Sequence, residues 1–131
     1  MKRIISYLGK QQIFKGLIDQ KPSADLGMIV VVPSYKEPNA VRTLKSILSC
    51  SLPDCSVEVI VLVNGKSTDL KTTKKIGEDC FDRCMNFSEI NSTNSLQFHV
   101  LKKLDMNGKK SGVGQARKIL MDEALYRFST L

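Results

Sequence analysis

The chain has 131 residues, 42% hydrophobic and 25% charged, and its 20 basic against 13 acidic side chains leave a net charge of +7. This is one domain's worth of chain, long enough to bury a core and ordinary in composition for a globular protein. No apolar run approaches the roughly 20 residues that cross a bilayer, which excludes a spanning helix.

The positive charge favours anionic partners, whether nucleic acid, phosphates, nucleotides or acidic lipid, and does not choose among them. Met1-Lys2-Arg3-Ile4-Ile5-Ser6-Tyr7-Leu8 imitates the start of a signal peptide, but Gly9 and Lys10 break it before an apolar region forms. The chain is therefore read as cytoplasmic, with peripheral contact at the inner face of the membrane left open. The cysteines, Cys50, Cys55, Cys80 and Cys84, form no C-x-x-C pair, and His99 is the only histidine. This pattern disfavours a zinc site and points to reduced thiols, with Cys80 and Cys84 packing as small hydrophobes.

In chain order, residues 1–20 read as a loosely amphipathic helix bent near Gly9, and Lys21 to Asp25 as a linker. Residues 1–27 are thus a helical extension and linker, ahead of an α/β unit over 28–131. Met28-Ile29-Val30-Val31-Val32-Pro33 is an unbroken apolar run that predicts a central strand buried on both faces. Pro33 ends it, since proline cannot donate to the ladder. Pro38 and Asn39 start a helix, with Asn39 or Glu37 as cap. Val41, Leu44, Ile47, Leu48 and Leu52 mark its buried face.

Val57 to Val63 predicts a second buried strand, broken by Asn64-Gly65. A helix follows from near Ser67 to about Met85, weakened at Gly77. Ser88 to Ser95 reads as a polar loop. Leu96, Phe98 and Val100 alternate with Gln97 and His99, predicting a third strand near an edge, with His99 facing outward. Asp105 to Gly112 reads as a basic loop, and a last helix begins near Val113.

Alternating strands and helices predict a Rossmann-like three-layer α/β sandwich with a mostly parallel sheet. Right-handed crossovers bring all strand ends to one rim, where ligands bind in such sheets. Three loops meet there: 34–37, 64–67 and 108–117. A helix start after Gly112-Val113-Gly114 turns free N–H groups toward an anion. Two phosphate-loop echoes, Gly65-Lys66-Ser67 and Gly108-Lys109-Lys110-Ser111, fail, because the upstream glycine is replaced by Ile60 and Lys103. A dinucleotide fingerprint fails too, since position 117 is Arg117 rather than glycine.

Pro33-Ser34-Tyr35-Lys36-Glu37-Pro38, followed by Leu44-Lys45-Ser46-Ile47-Leu48, resembles the opening of family 2 glycosyltransferases. Glu58 to Gly65 with Ser67-Thr68-Asp69 resembles their second strand and its acidic turn. Gly112 to Lys118 resembles their A-R-N segment. The likeness covers about residues 28–128. It implies a GT-A fold, incomplete here, with a nucleotide-binding half-domain over 28–131 truncated at its C-terminus. Pro33, Ser34, Tyr35, Glu37, Asn64 and Arg117 would then bind the nucleotide. Tyr35 would stack on the base, Asn64 stand for an aspartate that contacts uracil, and Arg117 lie near the diphosphate or base.

The chain departs from that pattern. Asn64 and Val63 replace acids, Lys36 stands where asparagine is usual, and Lys66 is an extra residue. No two acids stand two apart, so the metal-binding D-x-D is missing, as are the acceptor half and its catalytic base. The resemblance therefore implies an enzyme that moves a sugar from a nucleotide-sugar, by preference a UDP-sugar, to a hydroxyl acceptor with inversion. The acceptor, a glycan or a lipid-linked molecule, stays open. A divalent metal (Mg or Mn) is expected for the full enzyme and none is ligated by this chain, which would bind nucleotide without being active alone. The alternative is a non-enzymatic basic α/β module that binds nucleic acid or another polyanion, with nucleic acid the weaker expectation.

Overall fold

The computed structural model describes residue 3, residues 16–107 and residues 113–131. Strands β1 (Leu26–Ser34), β2 (Ser56–Lys66) and β3 (Leu96–Met106) alternate with helices α1 (Ala40–Leu48), α2 (Lys71–Asn91) and α3 (Val113–Ser129). The strands form one parallel sheet in the order β1-β2-β3. The fold is α/β with helices on both faces of a parallel sheet, as the alternation predicted.

The central strand is β2, not β1. From Ser56 to Gly65 every residue of β2 is buried. Its Val57, Val59, Val61 and Val63 face α1 and α2, where they meet Leu44, Cys80, Cys84 and Phe87. Ile60 and Leu62 face α3 and pack on Ala116, Ile119 and Leu120. The period of two thus serves two cores from one strand. β1 has the same composition but sits at an edge, with Met28 46% exposed and Val30 to Val32 only half-buried. An apolar run reports burial of faces; it does not report whether both edges are paired. The expectation that β3 lies at an edge holds.

Other boundaries move. Asn64-Gly65 does not break β2: the strand runs on to Lys66, with an irregularity in its pairing to β3 between Asn64 and Lys66. Asp105 and Met106, read as loop, belong to β3. The second helix starts at Lys71 rather than near Ser67, because 66–69 form a turn with Asp69 N–H on the Lys66 carbonyl at 3.1 Å. It continues to Asn91, through the stretch read as a polar loop. Gly77 does not weaken α2 so much as let it close on the sheet: a Cβ there would lie 2.9 Å from Leu104 Cδ2.

Residues 16–20 are not helical, and the predicted N-terminal helix otherwise falls outside the described residues, Arg3 apart. This segment is tied down by Glu123 of α3, fully buried, whose carboxylate accepts the Leu17 N–H at 2.8 and 3.2 Å. Burial pushes the Glu123 carboxyl up, against the N–H groups of Leu17, Gly16 and Ile18. Gly16, at φ 64°, permits that turn of backbone onto one carboxylate.

Candidate functional site at the carboxyl rim

The parallel sheet delivers the ends of β1 and β2 to one rim. Tyr35, on the turn after β1, donates its hydroxyl to Asp69 Oδ1 at 2.8 Å. Asp69, on the turn after β2, accepts the Lys66 N–H at Oδ2, also 2.8 Å. Desolvation works to raise the Asp69 carboxyl. The Lys66 N–H, the Tyr35 hydroxyl and the ammonium groups of Lys66 and Lys36 outweigh it and hold Asp69 below the usual range. The same hydrogen bond, with burial and the Asp69 charge, pushes the Tyr35 phenol up. Asp69 is thus an ionised clasp between two loops far apart in sequence.

Behind this clasp lies a small cleft of about 10 Å³, lined by Tyr35, Lys36, Asn64, Asp69, Lys74 and Leu104 among others. It is the size of one water molecule. Asn64 is 5% exposed, and its Oδ1 is buried with no hydrogen-bond partner. Native proteins pair nearly all such groups, so an orphan acceptor at a strand's carboxyl end marks a place that a donor would fill.

Tyr35 also gathers cations. Lys36 Nζ and Lys66 Nζ each stand 5.7 Å from its ring centroid. Lys36 holds a left-handed backbone, φ 54°, a conformation costly for any residue with a Cβ. Lys36→Gly is accordingly expected to stabilise the fold by about 0.5–1 kcal/mol, read by urea denaturation, while removing one of the rim's cations.

The structure brings together only part of the predicted set. Tyr35 and Asn64 share the cleft. Pro33 is half-buried within β1, paired with Leu62. Ser34 is turned inward, 4% exposed, with its Oγ 3.8 Å from Cys80 Sγ. Glu37 is exposed and occupied locally, accepting the Asn39 N–H at 2.8 Å as α1 begins. Arg117 is exposed on α3. Of the segment 108–117, residues 108–112 lie outside the described residues and 113–117 are already helical, the start of α3.

Sequence reasoning missed three features. Lys66 and Lys74 join Lys36 at the rim, a grouping that only the turn at 66–69 creates. Cys80 is more than a packing residue: the Cys84 thiol, the Ser34 hydroxyl and the Ala40 N–H together hold it at about 6 despite burial, while Cys84 is pushed up. His99 does not face outward. It is buried at the far end of the sheet, its Nε2 3.7 Å from Glu58 Oε2. A charged residue inside an apolar strand was the signal: Glu58 had to find a partner, and finds Arg127 of α3.

A larger groove, about 540 Å³, runs between α1 and α2, lined by Val41, Phe87 and Ile90 together with Arg42, Lys45 and Arg83. Among the described residues the orphan polar atoms belong to Asn64, Gln97 and His99, none of which lines this groove. No described helix is long and apolar enough to cross a membrane. In comparisons with known proteins, no family model, curated sequence or solved structure matches the chain.

Proposed function

We propose that this chain is a nucleotide-binding unit of the family 2 glycosyltransferase type, binding the nucleotide of a UDP-sugar at the carboxyl rim. The observation that carries the reading is the buried, unpartnered Asn64 Oδ1 at the carboxyl end of β2, on a residue that shares the rim with Tyr35. Uracil offers an N–H on its pairing edge, the group such an acceptor lacks. Tyr35 supplies a ring for stacking, and the lysines supply positive charge for phosphate. In this reading the cleft, the size of one water molecule, widens at Tyr35 and Lys36 to admit the base.

The topology supports the same rim. After β3 the chain crosses to the opposite face, and α3 packs chiefly on β1 rather than on β3. Ligands of open α/β sheets bind beyond the strands' carboxyl ends, where the turns after β1 and β2 lie. In this reading the chain contributes binding, and transfer of the sugar belongs to a partner half that carries the acceptor site.

Calorimetry with UDP and with short DNA in rising salt tests the proposal. UDP is expected to bind more tightly than DNA. Tyr35→Ala should weaken it by about 1–3 kcal/mol, the worth of a base–aromatic stack, with far-UV circular dichroism unchanged. Tyr35→Phe, which keeps the ring, should retain most of the affinity. Arg117→Ala reports whether the site extends to α3. Tighter binding of DNA, falling steeply with salt, would sink the nucleotide reading in favour of a polyanion-binding module.

A further inference from the structure

We infer that Lys36, Lys66 and Lys74 form a phosphate clamp around Tyr35, seating the diphosphate of the nucleotide with ammonium groups and without a divalent metal. The inference rests on the nucleotide reading above and adds the residues and the charge that would hold its anionic part.

Geometry comes first. One aromatic ring draws two ammonium groups, each 5.7 Å from its centroid. Lys74 Nζ donates to the Ser67 carbonyl at 3.0 Å, which ties it to the turn that carries Lys66. Lys36 and Lys74 also line the cleft beside Asn64. Elsewhere on the sheet's flank, Lys75, Lys102, Lys103 and Lys118 are each spent in an ion pair with a carboxylate. Among the described residues, Lys36, Lys66 and Lys74 are in no salt bridge. Three cations free of carboxylate partners thus stand at the turns where a ligand would arrive, while Arg42, Lys45 and Arg83 stand apart at the groove between α1 and α2.

Charge and strain point the same way. Asp69 feels the charges of Lys66 and Lys36, and ionised it leaves the three lysines with two net positive charges, the complement of a diphosphate. Lys36 pays for its place with a left-handed backbone, φ 54°. Such strained positions concentrate at ligand clamps and active sites.

A divalent metal does not fit the residues present. Magnesium and calcium want several free carboxylate or carbonyl oxygens. Both oxygens of Asp69 are engaged, by Tyr35 and by the Lys66 N–H, and ammonium groups stand around it. No three His, Cys, Asp or Glu residues are grouped to hold a metal among the described residues. At this rim the neutralising charge comes from lysine.

Calorimetry on the full chain in EDTA, with UDP, uridine and inorganic pyrophosphate as probes, decides the matter. UDP should bind in EDTA, and pyrophosphate should compete with it. Lys36→Gln and Lys66→Gln should each weaken UDP about tenfold and leave uridine unchanged. Lys45→Gln, on the exposed face of α1, should change neither, which separates a local clamp from general attraction. The clamp is overturned, with the nucleotide reading intact, if UDP binds but ignores the Lys36 and Lys66 changes or requires added magnesium. If neither UDP nor uridine binds, the nucleotide reading fails and the clamp fails with it.

Discussion

Arg127→Met is expected to cost about 3–5 kcal/mol of folding stability, because it strands a buried carboxylate. Arg127 forks onto Glu58, Nε to Oε1 at 2.5 Å and Nη2 to Oε2 at 2.8 Å, with both residues 2% exposed. Burial alone would raise the Glu58 carboxyl. The Arg127 fork, with the His99 ring beside it, overcomes it and brings Glu58 down to about 2. A carboxylate depressed from its ordinary 4.5 to about 2 stabilises the fold above pH 4.5, and that contribution fades as pH falls toward 2. The difference corresponds to roughly 3 kcal/mol at neutral pH. Urea denaturation at pH 7 and pH 3 should therefore show a marked acid weakening in the parent chain. Glu58→Gln should flatten that dependence. The double change Glu58→Leu with Arg127→Met should recover much of the single-mutant loss, since apolar pairs often replace buried ion pairs without penalty. Equal loss in the single and double variants would mean that the pair is not coupled as described.

This ion pair shows where reading the sequence stops. Periodicity predicted three strands and the helices between them, because apolar spacing is a local property. It placed Leu44, Cys80 and Cys84 in the core, where they are, but also set Leu48 and Leu52 on the buried face of α1, and these are 38% and 45% exposed. Which strand is central is a matter of pairing, and Met28 to Val32 carry no mark that distinguishes an edge from a middle. Glu58 was visible as an acid in an apolar strand, but its partner stands 69 residues away. The rim was legible in part. Strand ends put Tyr35 and Asn64 together, whereas the cations came from a turn at 66–69 read as the start of a helix. Ser34 and Glu37 had the right chemistry for a ligand, yet one is turned against Cys80 and the other serves the start of α1. Sequence order fixes which end of the sheet a residue reaches, not which way its side chain turns.

Asn64→Val is expected to stabilise the free protein by about 1–3 kcal/mol, the usual cost of leaving a buried polar group without a partner. Asn64 is 5% exposed and its Oδ1 is unpartnered, directly after the all-apolar run Val59 to Val63 of β2. Valine keeps a branched, strand-compatible side chain there and removes the orphan. In a protein without a ligand at this rim, asparagine is then the worse residue at position 64. The penalty makes sense if a bound donor removes it. The same substitution should weaken UDP binding by about 0.5–1.5 kcal/mol, one neutral hydrogen bond. Stability and affinity would move in opposite directions, as they do where a site is maintained at the expense of the fold. Thermal denaturation with and without UDP reads both at once: Asn64→Val should melt higher than the parent when free and gain less on adding nucleotide. A variant that melts lower when free would mean the amide is already satisfied in the unliganded chain. The acceptor at the end of β2 would then be holding the fold together, and the argument for a base beside Tyr35 would lose its strongest observation.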